Sequence, residues 1–95
     1  MGHRTVKWNK SAVKRSREIG EWYFRELGFV AGHKYMQSVK KAEEQIAAMP
    51  SIGQKCGREG YRTIVVHPRV KMLYRYTRST VVIVALYSTR MNYII

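Results

Sequence analysis

Residues Pro50–Asn92 read PSIGQKCGREGYRTIVVHPRVKMLYRYTRSTVVIVALYSTRMN, and the fold turns on this stretch. A Pro/Gly-rich loop opens it, and three runs of strand-forming residues follow. Tyr61–Val66 is rich in β-branched and aromatic side chains, and Pro68 interrupts the run because proline cannot donate to a sheet ladder. Arg69–Tyr76 forms the next strand and Thr77–Ser79 a turn. Thr80–Tyr87 is apolar on both faces, as a central strand is.

Alternation divides the Arg69–Tyr76 strand. Val70, Met72, Tyr74 and Tyr76 face one way, and Arg69, Lys71, Leu73 and Arg75 the other. Whatever covers the sheet takes the apolar set, so the cations look outward. Arg62 on the preceding strand and Arg90 past the last one are expected to join them. Arg62, Arg69, Lys71, Arg75 and Arg90 are therefore candidates for binding carboxylates or phosphates. The plain alternative is a solvated face whose charges discourage edge pairing. Tyr61, Tyr74, Tyr76, Tyr87 and Tyr93 lie among the cations and are either base-stacking residues or core with a wet hydroxyl.

Upstream of the loop the period changes. Thr5–Asn9 alternates, with Val6 and Trp8 on one side, and reads as a short strand. Ser11 is placed to cap a helix from Ala12 to about Leu27, with Ala12, Ile19, Trp22, Tyr23 and Leu27 at helical spacing and Gly28 to stop it. A second helix runs from about Val30 to Met49, with a stripe of Tyr35, Val39, Ala42, Ile46 and Met49 that Pro50 ends. The order is β-α-α-β-β-β: an α+β domain in which a helical hairpin packs on a small, mostly antiparallel sheet. Residues 1–95 form one domain.

Charge narrows the partners. Eighteen Lys and Arg against six acidic residues give a net charge of +12. That balance points to an acidic partner, protein or nucleic acid. All the acids are glutamates, and only Glu59 follows Pro50, so the sheet half is nearly single-signed. Cys56 is the one cysteine, which excludes an internal disulfide and a cysteine-cluster zinc site and fits a reducing cytoplasm. No apolar run approaches the length of a membrane span. His3, His33 and His67 are scattered, with no metal-ligand spacing, Walker loop or Ser-His-Asp order, so no metal and no cofactor are expected.

With these residues in view, the chain resembles the RelE/ParE superfamily of bacterial toxins. The residues that carry the resemblance are AAMPSIGQK (Ala47–Lys55), GYR (Gly60–Arg62), LYRY (Leu73–Tyr76) and VVIVALYSTR (Val81–Arg90), with SAVKRSREIGEWY (Ser11–Tyr23) similar to the family's first helix. They occur in the family's order over nearly the whole chain. The resemblance implies the toxin of a type II toxin–antitoxin module, of the kind that serves plasmid stabilisation and inhibits growth. Its partner is then an acidic antitoxin that wraps the basic body.

Two branches differ in target. In the RelE-like branch, which cleaves mRNA in the ribosomal A site, the resemblance carries catalytic roles onto Arg62, Lys71 and Arg90, with Tyr93 or His67 near the remaining position. Ile64 stands where a second basic residue is wanted. The Pro-Ser-Ile-Gly turn and the last strand match the ParE-like branch better, although Ser88 and Met91 replace its histidine and second arginine. That branch inhibits DNA gyrase by binding, so the reading is a gyrase-directed toxin, not a nuclease. The alternatives are a ribosome-dependent mRNA endonuclease and a small RNA-binding or ribosomal-type protein.

Overall fold

A computed structural model describes residues 4–57 and 60–88. Along the chain run β1 (Thr5–Trp8), α1 (Lys10–Leu27), α2 (Phe29–Ala48), a 3-10 turn (Pro50–Ile52), β2 (Gln54–Lys55), β3 (Tyr61–His67), β4 (Val70–Tyr76) and β5 (Thr80–Ser88). The expected order holds, with β2 as an addition. A strand of two residues is too short to show a period. The sheet order is β1-β5-β4-β3-β2. β1 runs parallel to β5, and the other pairs are antiparallel.

The first helix starts earlier than expected, and Ser11 is inside it. The Asn9 N–H donates to the Ile83 carbonyl at 3.0 Å, and the Val13 N–H donates to the Asn9 carbonyl at 3.0 Å. The chain therefore leaves the sheet and enters α1 at Asn9 with no side-chain cap. Gly28 alone links the helices, at φ +97°, a backbone region that glycine adopts without penalty. Gly32 serves the same hairpin by its missing side chain, since a Cβ there would lie 2.4 Å from the Phe24 ring.

Both helices lie on one face of the sheet. Ala12, Ile19, Tyr23, Tyr35, Ala42 and Ile46 meet Val70, Met72, Tyr74, Val81, Ile83 and Leu86. Full burial of a side chain such as Ile19, Ile46 or Met72 contributes about 1.5–3 kcal/mol. The predicted stripes fray at their ends, where Leu27 and Met49 are exposed. The Tyr23 and Tyr35 rings stack at 5.2 Å, and the His67 imidazole meets both edge-on. Tyr35 shares a 3.1 Å hydrogen bond with Ser16, and burial pushes its hydroxyl up to about 12.

Two irregularities break simple alternation. The β4–β5 register runs from Leu73↔Ala85 to Tyr74↔Ile83, leaving Val84 as an extra residue. This β-bulge turns Leu86 into the core and Tyr87 out to solvent. The β3–β4 register similarly skips Val66. Arg69, expected to start a strand, instead occupies the turn after Pro68 at φ +69°.

Candidate functional site

The second face of the sheet is uncovered by α1 and α2. Register assigns it residue by residue. Lys71, Leu73 and Arg75 of β4 pair with Val65, Thr63 and Tyr61 of β3, and with Tyr87, Ala85 and Val82 of β5. Lys7 of β1 pairs with Val82. The result is an aliphatic centre, half-buried at Leu73, Val82, Val84 and Ala85, with Lys71 and Arg75 exposed along it. Val65 is 64% exposed and Tyr87 51%. Every described glutamate lies on α1 or α2, so no acid among the described residues neutralises this face.

Lys71 and Arg75 thus stand where alternation placed them. Arg62 does not. It pairs with Tyr74, whose side is the helix face. Its Nη1 donates to the Gly53 carbonyl at 2.7 Å and to the Ser51 carbonyl at 3.3 Å. The Tyr74 hydroxyl, fully buried, donates to the Pro50 carbonyl at 2.6 Å and accepts the Gly53 N–H at 3.0 Å. A Cβ on Gly53 would stand 2.6 Å from both the Thr63 carbonyl oxygen and the Tyr74 hydroxyl. Proline, glycine, arginine and tyrosine of three sequence motifs therefore make one fastening that ties the turn after α2 to β3 and β4. Desolvation raises the Tyr74 hydroxyl pKa, against the lowering effects of the Gly53 bond and the nearby Arg62 charge.

His67 is also committed to the fold. Its Nδ1 lies 2.9 Å from Ser38 Oγ, which donates to the Lys34 carbonyl at 2.9 Å. The bulge at Val66 puts His67 opposite Val70 on the helix side, away from Lys71. Tyr74 and Tyr76 are on that side too, and Arg4 lies 5.8 Å from the Tyr76 ring centre. Of the tyrosines, Tyr61 and Tyr87 share the open face. Arg90 and Tyr93 lie outside the described residues.

Lys7 is the cation that sequence reasoning missed. Its alternation with Val6 and Trp8 was legible, but nothing local shows that β1 joins the sheet beside β5. Hollows occur on the helix side, at the sheet edge and on the open face, where one of about 410 Å³ is lined by Cys56, Gly57, Tyr61, Leu73 and Val84. One of about 320 Å³ between α1 and α2 is lined by Ser16, Gly20, Phe24, Tyr35, Met36 and Val39 among others. Another of about 420 Å³ lies against Lys55, Cys56, Tyr61, Arg62 and Tyr76. No group of three His, Cys, Asp or Glu able to hold a metal occurs among the described residues. The arrangement suits non-covalent recognition of an acidic, partly apolar surface.

A family model described as the ParE toxin of the type II toxin–antitoxin system parDE matches residues 6–93. No curated protein sequence matches the chain. Among solved structures, the chromosomal ParDE system from P. aeruginosa is similar at TM-score 0.78 and 16% identity, covering 90% of this chain and 96% of that one. A YoeB/ParE toxin from Agrobacterium tumefaciens gives TM-score 0.64 at 13% identity, covering 88% and 96%. The E. coli DinJ-YafQ toxin–antitoxin complex gives 0.54 at 13% identity, covering 93% and 94%. At these identities the structural likeness concerns the fold.

Proposed function

The chain belongs to the ParE toxin family of type II toxin–antitoxin systems, and from that premise we propose that it inhibits growth by binding DNA gyrase through the open sheet face. The observation that carries this reading is the composition of that face. Lys71, Arg75 and Lys7 surround an aliphatic centre with no described acid beside them. A protein surface offering carboxylates and apolar side chains complements such a mixture, and charge attraction speeds the encounter. Binding is favoured over RNA cleavage because two residues of the nuclease set are engaged elsewhere. Arg62 holds backbone carbonyls and His67 holds Ser38.

The same charge supports neutralisation by an acidic antitoxin. The apolar groove between α1 and α2 is suited to the hydrophobic side of a helical antitoxin segment. No described helix is long and apolar enough to cross a membrane, and a gyrase target with an antitoxin partner favours a cytoplasmic location.

The test runs two assays on one preparation of the purified toxin. Gyrase supercoiling is inhibited and translated mRNA stays intact if the reading is right. Cleavage of mRNA at the ribosomal A site with supercoiling untouched overturns it in favour of the ribosome-dependent endonuclease. Harmless expression without any antitoxin leaves the RNA-binding alternative.

A further inference from the structure

Pro68 and Arg69 form the two-residue turn between β3 and β4, closed by the His67↔Val70 pair. Arg69 is the one non-glycine residue at positive φ among the described residues. Proline followed by a positive φ is the pattern of a type II turn, whose third position belongs to glycine or asparagine. An arginine there is strained, because its Cβ crowds the backbone.

No contact among the described residues explains the strain. Arg69 is exposed and takes part in no hydrogen bond or ion pair among the described residues. The turn around it is nonetheless fastened on both sides. Tyr23 donates to the Pro68 carbonyl at 3.4 Å, and His67 is bonded to Ser38 at 2.9 Å. A strained residue persists where the surrounding structure over-determines it, and such residues cluster at ligand contacts.

We propose that Arg69 is a contact residue for the toxin's target, held rigidly at the turn to pair with a carboxylate of the protein bound on the open face. The inference rests on the gyrase-binding reading and adds a residue to its surface. The adjoining row favours a carboxylate over a phosphate backbone. It runs Val65, Lys71, Tyr87 across three strands, one cation between an exposed valine and an exposed tyrosine. A nucleic-acid backbone rewards a continuous track of cations, whereas a guanidinium next to a row with a single cation between apolar side chains suits one bidentate carboxylate.

The experiment compares R69G, R69N and R69K with the wild-type chain for thermal stability, growth arrest on induced expression and affinity for purified gyrase without DNA. Glycine and asparagine relieve the backbone, so both raise the melting temperature, by roughly 2–6 °C. Both nevertheless lower growth-arrest potency and gyrase affinity at least tenfold. Lysine keeps the wild-type melting temperature and restores part of the potency. The proposal is overturned if R69G or R69N is stabilised and fully potent, or if neither is stabilised. It is also overturned if wild-type binding needs DNA and that DNA-dependent binding is what the variants lose. Failure of the gyrase reading shows separately, as a wild-type toxin that arrests growth without binding gyrase.

Discussion

Replacing Tyr74 with phenylalanine removes one oxygen from the centre of the fold. The ring remains and its packing against the core is unchanged, so the perturbation is confined to two hydrogen bonds. The Pro50 carbonyl loses its donor at 2.6 Å, and the Gly53 N–H loses its acceptor at 3.0 Å. Pro50, Gly53 and Tyr74 are all buried, so bulk water does not reach the orphaned groups. A buried donor or acceptor left unmet costs about 1–3 kcal/mol. Relaxation of the turn recovers part of the sum, leaving a loss of about 2–4 kcal/mol. For a domain of this size that lowers the melting temperature by roughly 10–25 °C. Thermal and urea unfolding followed by circular dichroism measure it, with Tyr76→Phe as the control. Arg62 fastens the same turn from outside, so Arg62→Ala costs about 1 kcal/mol alone and less in the Tyr74→Phe background. A Tyr74→Phe loss below about 0.5 kcal/mol, no larger than a neutral surface change, would mean that the Tyr74 hydroxyl does not fasten the turn.

Other substitutions probe separate parts of the structure. Gly53→Ala drives a Cβ to 2.6 Å from a backbone oxygen and is expected to cost about 2–4 kcal/mol by overpacking and loss of the Tyr74 bond, read as a lowered urea midpoint. Lys71→Ala and Arg75→Ala leave stability within about 0.5 kcal/mol each, because both side chains are exposed, while growth-arrest potency falls at least tenfold. In alkali, Tyr35 titrates near 12 when folded against an ordinary 10.0. Its contribution of about 2–3 kcal/mol is complete below pH 10 and disappears as pH rises through about 12. Tyr35→Phe flattens that part of the stability curve measured by urea unfolding between pH 9 and 12.

The helices and the two faces of β4 were legible because their periods are local. Tyr35, Ala42 and Ile46 recur at helical spacing, and Val70, Met72 and Tyr74 alternate cleanly. The side taken by Arg62 was not legible. Both faces of β3 are partly apolar, and only pairing with Tyr74 decides between them. Nor do the bulges at Val66 and Val84 announce themselves in a run of valines, yet they aim His67, Leu86 and Tyr87. Arg69 read as strand because arginine is not a residue that turn chemistry selects. The motifs that carry the family resemblance proved informative in an unexpected way, since Gly53, Arg62 and Tyr74 identify the fold by fastening it. The candidate binding residues Lys71 and Arg75 sit on the other side of the same strands.

Reversing the charge of the open sheet face tests most directly whether that face binds the target. The K71E/R75E double variant is titrated against gyrase supercoiling beside R62A and the wild-type toxin. K71E/R75E is expected to keep the wild-type melting temperature within a few degrees while its inhibitory concentration rises at least tenfold. R62A, by contrast, loses stability but inhibits normally at temperatures where it is folded. Undiminished inhibition by folded K71E/R75E would contradict binding through that face.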